Sequence, residues 1–152
     1  MKLEEVLKTS KFRDAHHKAS LNVLYTSYWL KTTISQYIKE LGLTAEQFNV
    51  MRILKGKHPQ PMCVKDIAGR MIEKNSNVPR ILDRLVLKKL ADRQPNADDK
   101  RETLISLTEK GLTLLETSND MIDKVDNDLL GITIEEAEQL NELLEKFRNK
   151  IK

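Results

Sequence analysis

The stretch Ser76-Asn77-Val78-Pro79-Arg80-Ile81-Leu82-Asp83-Arg84-Leu85-Val86 is followed, after Leu90-Ala91-Asp92-Arg93, by Gln94-Pro95-Asn96-Ala97-Asp98-Asp99-Lys100-Arg101 and then Thr103-Leu104-Ile105-Ser106-Leu107. Its first part has helical spacing, with Val78, Ile81, Leu82 and Leu85 on one face and Pro79 in the first turn, where a missing N–H costs little. Lys74-Asn75-Ser76-Asn77 supplies good N-cap residues. The period then changes. Two short apolar or β-branched segments around a polar, turn-rich loop predict a β-hairpin with a long, charged tip.

Working outward, Val64, Ile67, Ala68 and Met71 mark a short helix, set off from what precedes it by Gly56 and Pro59-Gln60-Pro61. Thr44-Ala45-Glu46-Gln47 has the form of a capping box, with Phe48, Met51 and Leu54 on one face behind it. From Phe12 to Leu41 there is no Pro or Gly, and Leu24, Tyr28, Ile34, Ile38 and Leu41 trace the stripe of a long amphipathic helix that Gly42 ends. Downstream, Thr108 is an N-cap for a helix carrying Leu112, Leu115, Ile122, Val125 and Leu129. Gly131 interrupts it, and Thr133-Ile134-Glu135-Glu136 caps a last helix with Leu140, Leu143, Leu144, Phe147 and Ile151. Short helices near 63–73 and 76–88 followed by a basic-tipped hairpin are the parts of a winged helix-turn-helix, whose second helix enters the DNA major groove. The expected fold is mainly α with a small β-hairpin wing. One domain spans 1–152, with the winged helix over about 44–111 and helical dimerisation regions over about 1–41 and 112–152, because a winged helix alone cannot cover the terminal stripes.

Composition agrees. Of 152 residues, 32% are charged and 39% hydrophobic, with five Gly and four Pro, which suits a helix-rich globular chain rather than a β-sandwich or a disordered one. No apolar run reaches membrane-spanning length, and Met1-Lys2-Leu3-Glu4-Glu5-Val6 carries acids where a signal peptide needs an apolar stretch, so the expected location is the cytoplasm. The formal charge is only +3, but residues 74–101 hold eight bases against four acids, while acids outnumber bases beyond Gly111. A basic middle points to a polyanion as partner.

The helix near 76–88 places Asn77, Arg80 and Arg84 on related turns. Arginine is the best donor to guanine edges and asparagine suits adenine, while a helix N-terminus favours a phosphate oxygen. On charge alone, Arg80 and Arg84 could simply pair with local acids such as Asp83. The adjoining hairpin favours the DNA reading. An enzyme would need a nucleophile with a base, a metal cluster or a phosphate loop, and three scattered His, one Cys and no Gly-rich loop supply none, so no catalytic, metal or cofactor site is expected. The other open reading is a winged helix used for protein or RNA contacts without operator binding.

Asp83-Arg84-Leu85, Asp99-Lys100-Arg101 and Leu107-Thr108-Glu109-Lys110-Gly111 resemble the recognition helix, the D-x-R wing and the L-T-x-x-G wing exit of the MarR family. The resemblance extends over essentially the whole chain. It implies a regulator of transcription, a repressor by default, in which Ser76, Asn77, Pro79, Arg80 and Arg84 line the major groove. Arg101 reaches the minor groove beside Lys100, oriented by Asp99. A narrow minor groove concentrates negative potential, so an arginine there is favoured independently of the resemblance. Two residues depart from the family pattern. Pro79 stands where relatives often have a small hydroxyl residue, and Lys89 where relatives usually carry the glycine that ends the helix. If that turn is kept, Lys89 takes φ > 0.

The resemblance also implies a two-fold homodimer joined through the terminal helices, hence a pseudo-palindromic operator with half-sites about one DNA turn apart. It further implies a small aromatic or phenolic anion as effector, bound between the dimerisation region and the winged helix. By position the candidate pocket residues are Tyr25, Tyr28, Trp29, Met51 and Arg52, although aromatic residues at helical spacing more often pack in a core or dimer interface. Cys63 precedes a helix N-terminus, which can activate a thiol. It does not match the N-terminal cysteine of redox-sensing relatives and reads as a small, partly buried side chain.

Overall fold

The structure, a computed structural model, describes residues 1–118 and 131–149. The expected stripe residues Ile122, Val125, Leu129 and Ile151 lie outside them. Helix α1 spans Leu3–Leu7, α2 Ala15–Glu40, α3 Ala45–Lys55, α4 Val64–Arg70 and α5 Val78–Leu87. Strands are β1 (Met62–Cys63), β2 (Ala91–Pro95) and β3 (Thr103–Leu107); residues 109–118 are helical (α6), and α7 spans Ile134–Asn149.

The caps explain the boundaries. Asp14 accepts a hydrogen bond from the His17 amide and starts α2, slightly later than the expected Phe12. Thr44 and Gln47 form the reciprocal capping box of α3. Two elements were not expected. The five-residue α1 is too short to show a period, although its Leu3 is buried. Likewise β1 is only two residues long, yet it pairs antiparallel with β3, Met62 opposite Ile105 and Cys63 opposite Leu104. The expected two-stranded hairpin is therefore part of a three-stranded sheet ordered β1-β3-β2.

One core joins these elements. Phe48, Val50, Met51 and Leu54 of α3, Ile67 of α4, Val78, Leu82 and Leu85 of α5, and Ile105 and Leu107 of β3 are buried together with Leu112 and Leu115 of α6. The stripe of α2 meets this core only at its C-terminal end, where Ile38 is buried and Ile34 partly so; Leu24 and Tyr28 stay exposed.

The end of α5 is held tightly. The Lys89 amide donates to the Val86 carbonyl and the Leu90 amide to the Leu85 carbonyl, both at 2.9 Å, with Lys89 at φ 59. This is a Schellman motif with lysine in the left-handed position, and its usual C″ apolar residue is the buried Leu90. The start of α6 then closes over the same turn. Thr108 donates from its hydroxyl to the Lys89 carbonyl (2.8 Å) and from its amide to the Leu90 carbonyl (3.2 Å), and it caps α6 by accepting from the Gly111 amide (3.0 Å). Gly111 lies so close that an added Cβ would sit 2.1 Å from the Leu90 carbonyl oxygen.

Opposite effects are expected at these two positions. Gly111→Ala must push backbone against backbone and should destabilise the protein by about 3 kcal/mol or more. Lys89→Gly relieves left-handed strain, which exceeds the extra chain entropy of glycine, and should stabilise by about 0.5–1 kcal/mol. Urea unfolding of both variants beside the parent checks this; a neutral Gly111→Ala would remove the close-approach argument.

Candidate nucleic-acid interface

Helix α5 divides into three faces. Val78, Leu82 and Leu85 enter the core; Pro79 and Asp83 turn toward β2; Arg80, Arg84 and Leu87 are exposed on the outer face. A groove of about 600 Å³ runs along the side away from Pro79 and Asp83, bounded by Thr44 at the N-cap of α3, by Gln47 of α3 and by Asn77, Arg80, Ile81 and Arg84. Ile81, expected with the core, is only half-buried and forms part of this groove. Lys88 closes its far end by donating to the Gly42 carbonyl and to Gln47 Oε1 (3.1 Å).

Asn77 and Ser76 are placed at the start of α5. Asn77 is the N-cap, its side-chain oxygen accepting from the Arg80 amide at 3.2 Å. Two-point reading of adenine needs that oxygen as acceptor together with the NH₂ as donor, so the cap leaves Asn77 its NH₂ and one oxygen lone pair and fixes the direction in which it can offer them. The Ser76 hydroxyl is enclosed and has no partner among the described residues, so it does not present itself to a ligand without rotating. Pro79 is exposed, with its carbonyl 3.4 Å from the Arg93 guanidinium. Arg80 and Arg84 project as expected.

The wing tip is a network of local bonds. Asn96 and Glu102 pair through backbone (3.1 Å) and side chains (3.0 Å), and the Glu102 amide donates to the Asp99 carbonyl (2.9 Å). Asp99 then accepts three times from Arg101: from Nε at 3.1 Å, from Nη2 at 3.2 Å and from the backbone amide at 3.0 Å. These bonds hold the Asp99 carboxyl below its ordinary pKa, the Arg101 side chain contributing most and its backbone amide next. The Arg101 side chain remains 91% exposed, so the carboxylate orients it without burying it, and its outer N–H groups stay available. Lys100 is exposed beside it.

In the sequence Arg93 is only one base among the eight of residues 74–101. It stands in β2 with Nη2 2.7 Å from Asp83 Oδ1. The signal was present: in β2 the period of two puts Arg93 on the same face as the buried Ala91, the face that packs on α5.

The five proposed effector residues do not come together. Met51 is fully buried among the core side chains of α3 and cannot line an open pocket, while Arg52 is exposed with its guanidinium 5.8 Å from the Phe48 ring centre. Tyr25 and Trp29 are half-buried on α2. Tyr28 borders a shallow cavity of about 420 Å³ with Lys31, Thr32, Ser35, Gln36 and Lys39. Cys63 is half-buried at the N-cap of α4 and makes no side-chain cap bond. Among the described residues there is no helix long and apolar enough to cross a membrane.

Known proteins resemble both the sequence and this arrangement. The family model described as MarR family matches residues 43–103, the stretch from the start of α3 into β3. The multiple antibiotic resistance protein MarR of Escherichia coli (strain K12) is 30% identical over 120 residues, covering 74% of this chain and 78% of that protein. The S. aureus MepR–DNA complex superposes with a TM-score of 0.77 at 26% identity, over 87% of this chain and 97% of that one. The organohalide-sensing regulator RdhR, solved in its 2,4-dichlorophenol-bound form, shares the fold with a TM-score of 0.79 at 22% identity, over 91% and 82% of the two chains.

Because the Asp99 pKa is depressed, the order it lends Arg101 is present above the ordinary aspartate pKa of about 3.9 and is lost only as pH falls through the lower, folded value. Far-ultraviolet and duplex-binding measurements from about pH 5 to 8 should therefore show no Asp99 titration. Asp99→Asn should weaken duplex binding less than Arg101→Ala and leave the melting temperature nearly unchanged, since the pair is a surface one. Equal losses in the two variants would mean that the carboxylate does more than orient the arginine.

Proposed function

The chain belongs to the MarR family, and from that premise we propose that it is a sequence-specific double-stranded DNA-binding transcriptional regulator acting as a homodimer in the cytoplasm. The observation that carries this reading is the pairing of two exposed basic elements. Arg80 and Arg84 project from α5, and Arg101 projects from the wing on a carboxylate that fixes its direction. Helix α5 fits the major groove and the wing the neighbouring minor groove, so Arg80 and Arg84 read base edges or phosphates while Arg101 works mainly through charge. A relative supports it, since the S. aureus MepR structure is a complex with DNA.

Uncovered apolar surface supports the homodimer. No described residue of α7 is buried; Leu140, Leu143 and Phe147 are exposed there, as are Leu24 and Tyr28 on α2. A second copy covering these stripes gives a two-fold molecule and a pseudo-palindromic operator. The regulator acts as a repressor released by a small aromatic or phenolic anion. The dichlorophenol-bound form of RdhR and the cavity where Tyr28 meets Lys39 support this, the lysine being suited to an anion beside an aromatic ring, while Lys31 there is paired with Glu73.

Selection of genomic fragments from the source organism should yield a two-fold site. On that site and on scrambled duplex, Arg101→Ala should weaken binding alike and flatten the salt slope by about one unit. Arg80→Ala should lose about 1–3 kcal/mol mainly on the selected site. If Arg101→Ala changed neither duplex, the wing assignment would fail; equal losses with Arg80→Ala would make that residue a phosphate clamp.

A separate check addresses the dimer. Leu143→Glu combined with Phe147→Glu should shift sedimentation toward monomer and reduce operator affinity together. A double variant that sediments as the parent does would exclude α7 from the interface.

A further inference from the structure

Arg93 occupies the seam between the two elements that touch DNA, and its contacts do not account for it. Its Nη2 meets Asp83 Oδ1 at 2.7 Å and lies 3.4 Å from the Pro79 carbonyl, which is at the outer limit of hydrogen bonding. These are the only side-chain polar contacts between α5 and the β2–β3 hairpin among the described residues. Arg93 and Asp83 are 38% and 61% exposed, and an ion pair in that setting contributes little to stability. Nε and Nη1 have no partner among the described residues. An arginine carries five donors, so Asp83 and Pro79 leave most of those of Arg93 without a protein partner among the described residues.

The geometry of duplex DNA says what lies there. A helix in the major groove and a wing in the next minor groove straddle one sugar-phosphate strand, because that strand is the wall separating the grooves. The strand must cross the molecule between α5 and β2. We propose that Arg93 binds a backbone phosphate of that strand through its free guanidinium edge, with Asp83 as the positioning residue that holds the fork at the seam. The same contact neutralises Asp83, the acid that α5 would otherwise turn toward the phosphates beside Arg80 and Arg84. This assignment rests on the DNA-binding reading above.

The test uses the full chain, a mixed-sequence duplex about three turns long and fluorescence anisotropy at several salt concentrations. Arg93→Ala should bind about tenfold more weakly, with a salt slope shallower by about one, while its melting temperature stays close to the parent's. Arg93→Lys keeps the charge and should retain the slope while losing part of the affinity, which keeps the proposal testable if the alanine variant folds poorly. The decisive variant is Asp83→Asn with Arg93→Ala. A phosphate ligand predicts that the double variant remains as weak and as shallow in slope as Arg93→Ala alone. Recovery of parental affinity and slope would show that Arg93 only neutralises Asp83, and would overturn the proposal. So would an Arg93→Ala variant indistinguishable from the parent while Arg101→Ala is impaired. A parent with no salt-dependent duplex affinity would instead remove the DNA-binding premise itself, a result that does not depend on any Arg93 variant.

Discussion

The clasp between Thr108, Gly111 and the carbonyls that end α5 is the contact on which the other parts rely. A helix terminus leaves its last carbonyls without intrahelical partners, and in α5 the Schellman turn satisfies two of them while Thr108 takes those of Lys89 and Leu90. Lys110 adds a bond from its ammonium to the Lys88 carbonyl at 3.1 Å. One junction, built from Lys88–Leu90 and Thr108–Gly111, thus ends α5, closes the wing and starts α6. The absence of a Cβ at Gly111 is what lets the backbones approach so closely. Any displacement here would move α5, the hairpin and α6 together.

On that frame the charges are arranged by direction more than by number. The chain as a whole carries +3, too little to distinguish it from many proteins that never meet nucleic acid. What distinguishes it is that Arg80 and Arg84 leave α5 on the side away from the core, and that Asp99 spends its acceptors on a single arginine at the wing tip. Exposed ion pairs of this sort contribute little to stability. Their value lies in reducing the freedom of a long side chain before it meets its ligand. Asp83 does for Arg93 what Asp99 does for Arg101, with one acceptor oxygen in place of two.

Apolar surface is distributed unevenly between the two regions. The winged helix buries its side chains in one core that reaches from Ile38 to Leu115, whereas α2 at Leu24 and Tyr28, and α7 at Leu140, Leu143 and Phe147, present theirs to the outside. Lys31 of α2 pairs with Glu73 at the turn before α5, so the long helix touches the DNA-facing region through a charge contact as well as through Ile38. Surface this apolar is more consistent with an interface than with a solvated helix.

Local chemistry made most of the elements legible. Helical spacing from Val78 to Leu85, the cap residues Thr44, Asn77 and Thr108, and the change of period at Ala91 are properties of neighbouring residues, and they identified α3, α5 and the hairpin from the sequence by itself. The left-handed Lys89 was also readable, as a conditional: a turn there demands φ > 0 whatever residue occupies it. Other features depend on partners distant in the chain. Strand β1 exists only because β3 is beside it, and Met51 passed from pocket candidate to core because α3 packs on α4, α5 and β3. Arg93 shows the division most clearly. Alternation put it on the inner face of β2, but only the packing of β2 on α5 placed its guanidinium against Asp83, since a contact between residues ten apart is decided by how two elements meet rather than by either element's own sequence.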